Sequence, residues 1–251
     1  MAYRVARFGW TPDRPDHRDL AFATPAIGLV DLPPVVDLRP GCPPVYDQGD
    51  EGSCVGQATA GAFAFEALKQ GQPPPVTPSR QWIYYQARVL EHTVHEDAGC
   101  MIRDGMKVLA RLGVPPESSW PYTPETFALR PSHAVYAEAL THQVLRYLRV
   151  RHARALQACL AAGYPVVAGF TCYESVEHDG VTRTGDVPMP ALSESVIGGH
   201  AVLLVGYDRS VGRWRFRNSW GAEWGAAGYG TLPFAYLPLM ADFWSIRLIE
   251  G

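Results

Sequence analysis

The 251-residue chain has no block of Lys and Arg, and its formal net charge is only −3. The electrostatic footprint of a nucleic-acid binder, or of a protein held on an anionic membrane surface, is therefore missing. Long apolar runs are absent too. Nothing approaches the roughly 18 residues of a membrane span, and Met1 to Asp19 contains no apolar signal core, so a cytoplasmic location is expected. Cysteine is scarce. Cys42, Cys54, Cys100, Cys159 and Cys172 are odd in number and scattered, unlike a disulfide framework or the closely spaced ligand pairs of a zinc site. At least one thiol is expected to be free, and neither a metal nor a cofactor is implied. Charged residues make up 19% of the chain against 47% apolar and 11% aromatic, too many aromatics for a disordered polymer. With 24 Gly and 22 Pro the chain reads as folded and loop-rich, long enough for one large domain or two lobes.

Three regions follow from the pattern. Residues 1–31 are rich in Pro and in both charge signs without periodicity, which predicts an extended arm with Tyr3, Phe8, Trp10, Leu20 and Phe22 as apolar anchors and Pro12, Pro15 and Pro25 as stiffeners. Residues 32–141 read as mostly helical. Ser53 to Lys69 is small and apolar nearly all round, as in a buried helix, with Ser53 as N-cap and Gly71 and Pro73 to Pro75 as its stop. Ser79 to Leu90 and Ile102 to Leu112 are further helices, the second ended by Gly113. Residues 142–251 turn to short β-rich runs at Val144 to Val150, Pro165 to Tyr173, His200 to Tyr207, Trp214 to Arg217 and Tyr229 to Leu232. A helix at Leu156 to Ala162 and a long exposed loop from Glu177 to Gly199 complete that half.

Cys54 stands where the first helix begins, so the helix dipole and the unpaired N–H groups of its first turn favour a thiolate. On position alone an ordinary buried thiol beside a Gly-rich turn explains Cys54 equally well. Two further residues decide between them. His200 opens a strand-like run 146 residues after Cys54, and Asn218 opens Asn-Ser-Trp-Gly 18 residues later. Separations of roughly 130–150 residues, in the order Cys, His, Asn, are those of a papain-type nucleophile and its partners.

With Gln48-Gly-x-x-Gly-Ser-Cys54, Gly-His200-Ala-Val and Asn218-Ser-Trp220-Gly-x-x-Trp224-Gly, the chain resembles the papain-like cysteine peptidases of the C1 family. Val36-Asp37-Leu38-Arg39 and Trp120-Pro121-Tyr122 extend the resemblance to about residues 32–235. It implies an α+β, papain-like two-lobe fold: a helical lobe carries Gln48 and Cys54, a β-barrel-like lobe carries His200 and Asn218, and the cleft lies between them. It also implies a cysteine-type endopeptidase. Cys54 would attack, His200 would act as general base and acid, Asn218 would orient the imidazole, and Gln48 with the Cys54 N–H would hold the oxyanion, while Trp220 shields the His–Asn bond. By position, Gly99 and Cys100 would pair with the substrate backbone. Met101, Ile102 and Ala201 would line the pocket for the second residue before the scissile bond, where an apolar side chain is expected.

The departures are specific. Val55 follows the nucleophile where the family has an aromatic residue, and the two cysteines of the cleft-side disulfide are replaced by Glu51 and Asp97. Instead of a prosegment of about a hundred residues, some 31 residues precede the family-like part, as in a compact bacterial-type member. That arm is expected to lie across the cleft or its rim as an inhibitor; a belt on the back of the molecule is the alternative. A Gly-x-Cys-x-Gly elbow is set aside because Asp47 to Glu51 is too polar for the buried strand it needs. His92, His95, Asp97 and Cys100 complete no tetrahedral metal signature. A transpeptidase or amide hydrolase of a biosynthetic pathway, and a non-catalytic peptide-binding module, remain alternatives to the peptidase.

Overall fold

The computed structural model describes residues 4–23, 32–71 and 77–248, so Tyr3, Pro25 and Pro73 to Pro75 lie outside it. Its centre is α1 (Cys54–Lys69), every residue of which from Cys54 to Ala67 is buried. Small side chains allow this. A Cβ at Gly56 would meet the Arg80 carbonyl oxygen at 2.7 Å, so α2 (Arg80–Glu91) crosses α1 at backbone contact. Ser79 caps α2 by accepting from Trp82 N, and α3 (Ile102–Arg111) ends before Gly113 in the left-handed region, φ +70. A short α4 (His133–Ala139), capped by Ser132, was not foreseen.

The sheet is antiparallel. Its strands are β1 (Val35–Asp37), β2 (Arg146–Arg149), β3 (Val166–Tyr173), β4 (Val196–Asp208), β5 (Arg213–Arg217), β6 (Tyr229–Pro233) and β7 (Met240–Arg247). The path runs β2-β7-β3-β4-β5-β6 from end to end, with β1 added to the far end of β4, where Val36 faces Tyr207. β1 falls in a half read as mostly helical, and β7 went unread because Met240 to Arg247 carries no clear alternation. α5 (Ala153–Ala161) covers one face. The supposed loop from Glu177 to Gly199 is partly ordered: α6 (Asp179–Thr184) lies within it and β4 already begins at Val196. Among the described residues no helix is long and apolar enough to cross a membrane.

Strand alternation places the site. Along β4, Ala201, Leu203 and Val205 join the core around α1 to α3, whereas Val202 and Leu204 join the core under α5 with Phe170, Trp220 and Trp224. His200 therefore faces the aromatic side while its neighbour Ala201 faces the N-terminus of α1.

Residues 9–11 of the arm run beside Cys100 and β4, and residues 20–22 run along the edge of the sheet. Cys100 N donates to Gly9 O (2.9 Å) and Thr11 N to Cys100 O (3.2 Å), a parallel bridge centred on Trp10, while Trp10 N donates to Gly199 O (3.0 Å). Farther on, Arg149 N donates to Leu20 O and Phe22 N to Arg149 O, extending the sheet at the edge strand β2. Phe8 and Phe22 pack against the core under α5, but Leu20 is 63% exposed and anchors nothing.

Candidate active site

Ala201 N lies 3.4 Å from Cys54 Sγ, and His200 Nε2 lies 2.8 Å from Asn218 Oδ1. Helix start, strand and following loop thus converge as the spacing predicted. The imidazole is held on all sides. Trp220 stacks on it at 4.4 Å between centroids, and Phe170, directly opposite on β3, meets it edge-on at 5.7 Å. Asn218 Oδ1 also accepts from Ser219 N (2.9 Å), which fixes the amide so that its oxygen addresses His200. Nε2 is then the protonated nitrogen of the neutral ring, and Nδ1, buried without a hydrogen-bond partner, is the basic one.

Gln48 sits between the two loops. Its N donates to Ser219 O (2.9 Å), its Oε1 accepts from Ser219 Oγ (2.7 Å), and its Nε2 donates to Glu51 O (2.9 Å). One of the two amide hydrogens is thereby committed. Tyr122 OH donates to Gln48 O (2.7 Å) and contacts Ser53 Oγ at 2.6 Å. Ser53 occupies the N-cap position of α1 but makes no side-chain cap; its hydroxyl is turned to Tyr122 and Gln57. Where the family has its cleft-side disulfide, Asp97 makes non-covalent contacts: both its carboxylate oxygens lie 3.1 Å from Gly52 N, beside Glu51, and it pairs with Arg7 of the arm.

Electrostatics runs against the expectation of a ready thiolate. N–H groups of Gly9, Ala201, Val55 and Cys54 all draw the thiol downward, but burial outweighs them and pushes it up to about 11. Burial likewise lowers His200 to about 4, against a smaller upward pull from Asn218. Both residues have no solvent exposure. With the arm in place the pair is a neutral thiol and a neutral imidazole.

Gly99, Cys100, Ile102 and Ala201 are buried at the cleft and Met101 is half-buried. Four glycines make room for the arm: a Cβ would come within 2.3 Å of Gly9 O at Gly99, 2.4 Å of the Phe8 ring at Gly198, and 2.7 and 2.1 Å of Trp10 at Gly199 and Gly169. Sequence reading missed Ser219, Phe170, Arg149 and Asp242. Ser219 stands inside a motif that had been quoted, but the others lie in strands where nothing marks them.

A two-lobed thiol site of this construction defines a class, and comparison with known proteins agrees. The family model of papain family cysteine proteases matches residues 32–234. The chain is 36% identical over 269 residues to an uncharacterized peptidase C1-like protein of Acanthamoeba polyphaga mimivirus, covering 96% of this chain and 86% of that one. It superposes on the crystal structure of xylellain, a cysteine protease from Xylella fastidiosa, with TM-score 0.90 and 40% identity over 97% of this chain and 96% of that one. A procathepsin B of Trypanosoma congolense shares the fold at TM-score 0.76 and 15% identity, over 98% of this chain and 87% of that one. The protein belongs to the papain family of cysteine proteases.

Proposed function

We propose that this papain-family protease is an endopeptidase working through Cys54, His200 and Asn218, with residues 8–13 of its own arm as a reversible occupant of the cleft. The observation that supports the triad most directly is the convergence of Cys54 Sγ on the Ala201 N–H (3.4 Å), beside a His200 imidazole fixed by Asn218 (2.8 Å). His200 takes the thiol proton and Sγ attacks the peptide carbonyl. The oxyanion is met by the Cys54 N–H and the uncommitted Gln48 N–H. His200 returns the proton to the leaving amine, and water hydrolyses the thioester. Stacked Trp220 keeps water from the His200–Asn218 bond. Ile102, Met101 and Ala201 give the substrate pocket apolar walls.

The arm supports inhibition by what it presents. Gly9 offers Sγ an N–H rather than a carbonyl carbon, so the segment nearest the nucleophile occupies the cleft without placing a bond to be cut. Departure of the arm readmits water, which relieves the desolvation behind both pKa shifts.

A thiol-directed epoxide and a panel of peptide-aminomethylcoumarin substrates test the reading. Turnover that disappears in Cys54→Ala but survives in Cys159→Ala supports it, as does mass-spectrometric attachment of the probe at Cys54. Attachment at another cysteine refutes the assignment, and labelling without turnover points to transfer in place of hydrolysis.

A further inference from the structure

Tyr84 is fully buried in α2, and its hydroxyl joins two segments that border the thiol. The ring is held in place. Gly56 brings α1 so close that an added Cβ would lie 3.2 Å from the Tyr84 Cβ, and the Arg88 guanidinium lies over the ring, 4.2 Å from its centroid. The hydroxyl accepts from Gly99 N (3.2 Å) and donates to Asp97 Oδ1 (2.5 Å). Burial first, and then that carboxylate, push the phenol above its ordinary value, so the proton stays on Tyr84.

Asp97 passes this constraint on. Both of its carboxylate oxygens lie 3.1 Å from Gly52 N, and the Gly52 N–H belongs to the same planar peptide as the Glu51 carbonyl. That carbonyl accepts from Gln48 Nε2 at 2.9 Å. One rigid unit is thus gripped at both ends, its N–H by the Asp97 carboxylate and its oxygen by the Gln48 amide. A tilt of the peptide plane moves that amide with it. Arg7 also pairs with Asp97 (3.1 Å), but it belongs to the arm and its side chain is 54% exposed. When the arm leaves, Arg7 goes with it and the Tyr84 hydroxyl stays.

We propose, on the reading of Gln48 as an oxyanion donor, that Tyr84 is a positioning residue for hydrolysis: through Asp97 and the peptide between residues 51 and 52, its hydroxyl holds the Gln48 amide where the oxyanion forms. Tyr84 touches neither substrate nor thiol in this role. A hydrogen bond to a carboxylate is stronger than one between neutral groups, and without it Asp97 is free to turn away from Gly52. The Gln48 amide then keeps its chemistry but loses its aim, and a donor out of place stabilises the oxyanion less.

Two reactions of one thiol isolate the effect. Hydrolysis of a peptide-aminomethylcoumarin passes through an oxyanion, whereas in alkylation by iodoacetamide Sγ forms a bond to the methylene carbon as iodide leaves, and no oxyanion arises. Both are measured on the full chain, the second by mass-spectrometric mapping of Cys54, and the readout is kcat/KM divided by the alkylation rate constant. That ratio cancels the fraction of folded enzyme and the fraction with the arm displaced. Tyr84→Phe, which removes only the hydroxyl, should lower it about tenfold. Gln48→Ala should lower it by about 10² to 10³, and the double variant no further to within about twofold, because the hydroxyl then has no amide left to aim. Asp97→Asn, which still offers a carbonyl oxygen to Tyr84 and Gly52, should stay within about threefold of the parent, while Asp97→Ala falls at least as far as Tyr84→Phe. An unchanged ratio in Tyr84→Phe, or a loss that adds in full to that of Gln48→Ala, overturns the proposal. Should Tyr84→Phe not fold, equal ratios in the two Asp97 variants overturn it. An unchanged ratio in Gln48→Ala, or alkylation at another cysteine alone, instead refutes the site assignment beneath it.

Discussion

An alanine at Gly9 would place its methyl 1.7 Å from the Gly52 carbonyl oxygen, with Gly52 Cα 2.8 Å away. The obstacle is the Gly52 backbone, so no rotamer relieves it and the segment must lift. Lifting breaks three backbone hydrogen bonds, those of Trp10 N to Gly199 O, Cys100 N to Gly9 O and Thr11 N to Cys100 O. At about 1 kcal/mol net each they amount to roughly 3 kcal/mol. Partial exposure of Trp10 adds up to about 2 kcal/mol. At a factor of ten for each 1.4 kcal/mol, the open population should rise by about 10² to 10⁴, while Asp19 and Arg103 continue to hold the arm farther along (2.7 Å). An epoxide probe reads this directly, because Cys54 has no exposure while the arm is docked. The labelling rate of Gly9→Ala should exceed that of the parent at least about a hundredfold, unless opening ceases to limit it. A rate within threefold of the parent, in a variant with unchanged thermal unfolding, would refute the claim that residues 8–11 gate the thiol.

Three other outcomes are expected. Gln48→Ala should lower kcat by about 10² to 10³ with little change in KM, the usual loss for one oxyanion donor; a loss below tenfold in steady-state hydrolysis contradicts the role. Arm docking should be strongest between about pH 6.5 and 8.5, the ordinary values of imidazole and thiol. The docked state raises Cys54 to about 11 and so disfavours its deprotonation, which weakens docking as pH climbs from the ordinary value towards 11, and it lowers His200 to about 4 and so disfavours its protonation, which weakens docking as pH falls towards 4. Hydrogen exchange of the Trp10 and Thr11 amides across pH, corrected for intrinsic rates, checks this, and a flat profile counts against it. Asp97→Ala removes the acceptor of the Gly52 N–H at 3.1 Å; a cost of about 1–3 kcal/mol corresponds to a melting temperature lower by roughly 2–12 °C, read by calorimetry.

What the sequence made legible follows from how local each signal is. Cys54, His200, Asn218 and Gln48 lie in short motifs that resemble those of the family, and the structure brings the elements that carry them together. The helices of the first half announce themselves through small and apolar residues and through breakers such as Gly113. Asp242 and Arg149 could not be read, because their meaning arises only when β7 and β2 lie side by side, with Trp244 opposite Arg149. The thiolate expected at the helix start failed for the same reason. The dipole is a property of local sequence, whereas the burial that overrides it comes from an arm more than forty residues away in the chain.

The glycines join these two scales. Gly99, at φ +72, has a conformational reason of its own, but Gly169, Gly198 and Gly199 have no positive φ, and the atoms that a Cβ there would meet first belong to the arm. In strands β3 and β4 a glycine weakens the sheet, so its presence marks the close approach of something else. Phe8 and Trp10 are that approach here. Side chains at these positions would expel the arm from its present course. What lets Trp10 seat itself over a buried carboxylate is thus the absence of side chains on the two strands beneath its ring.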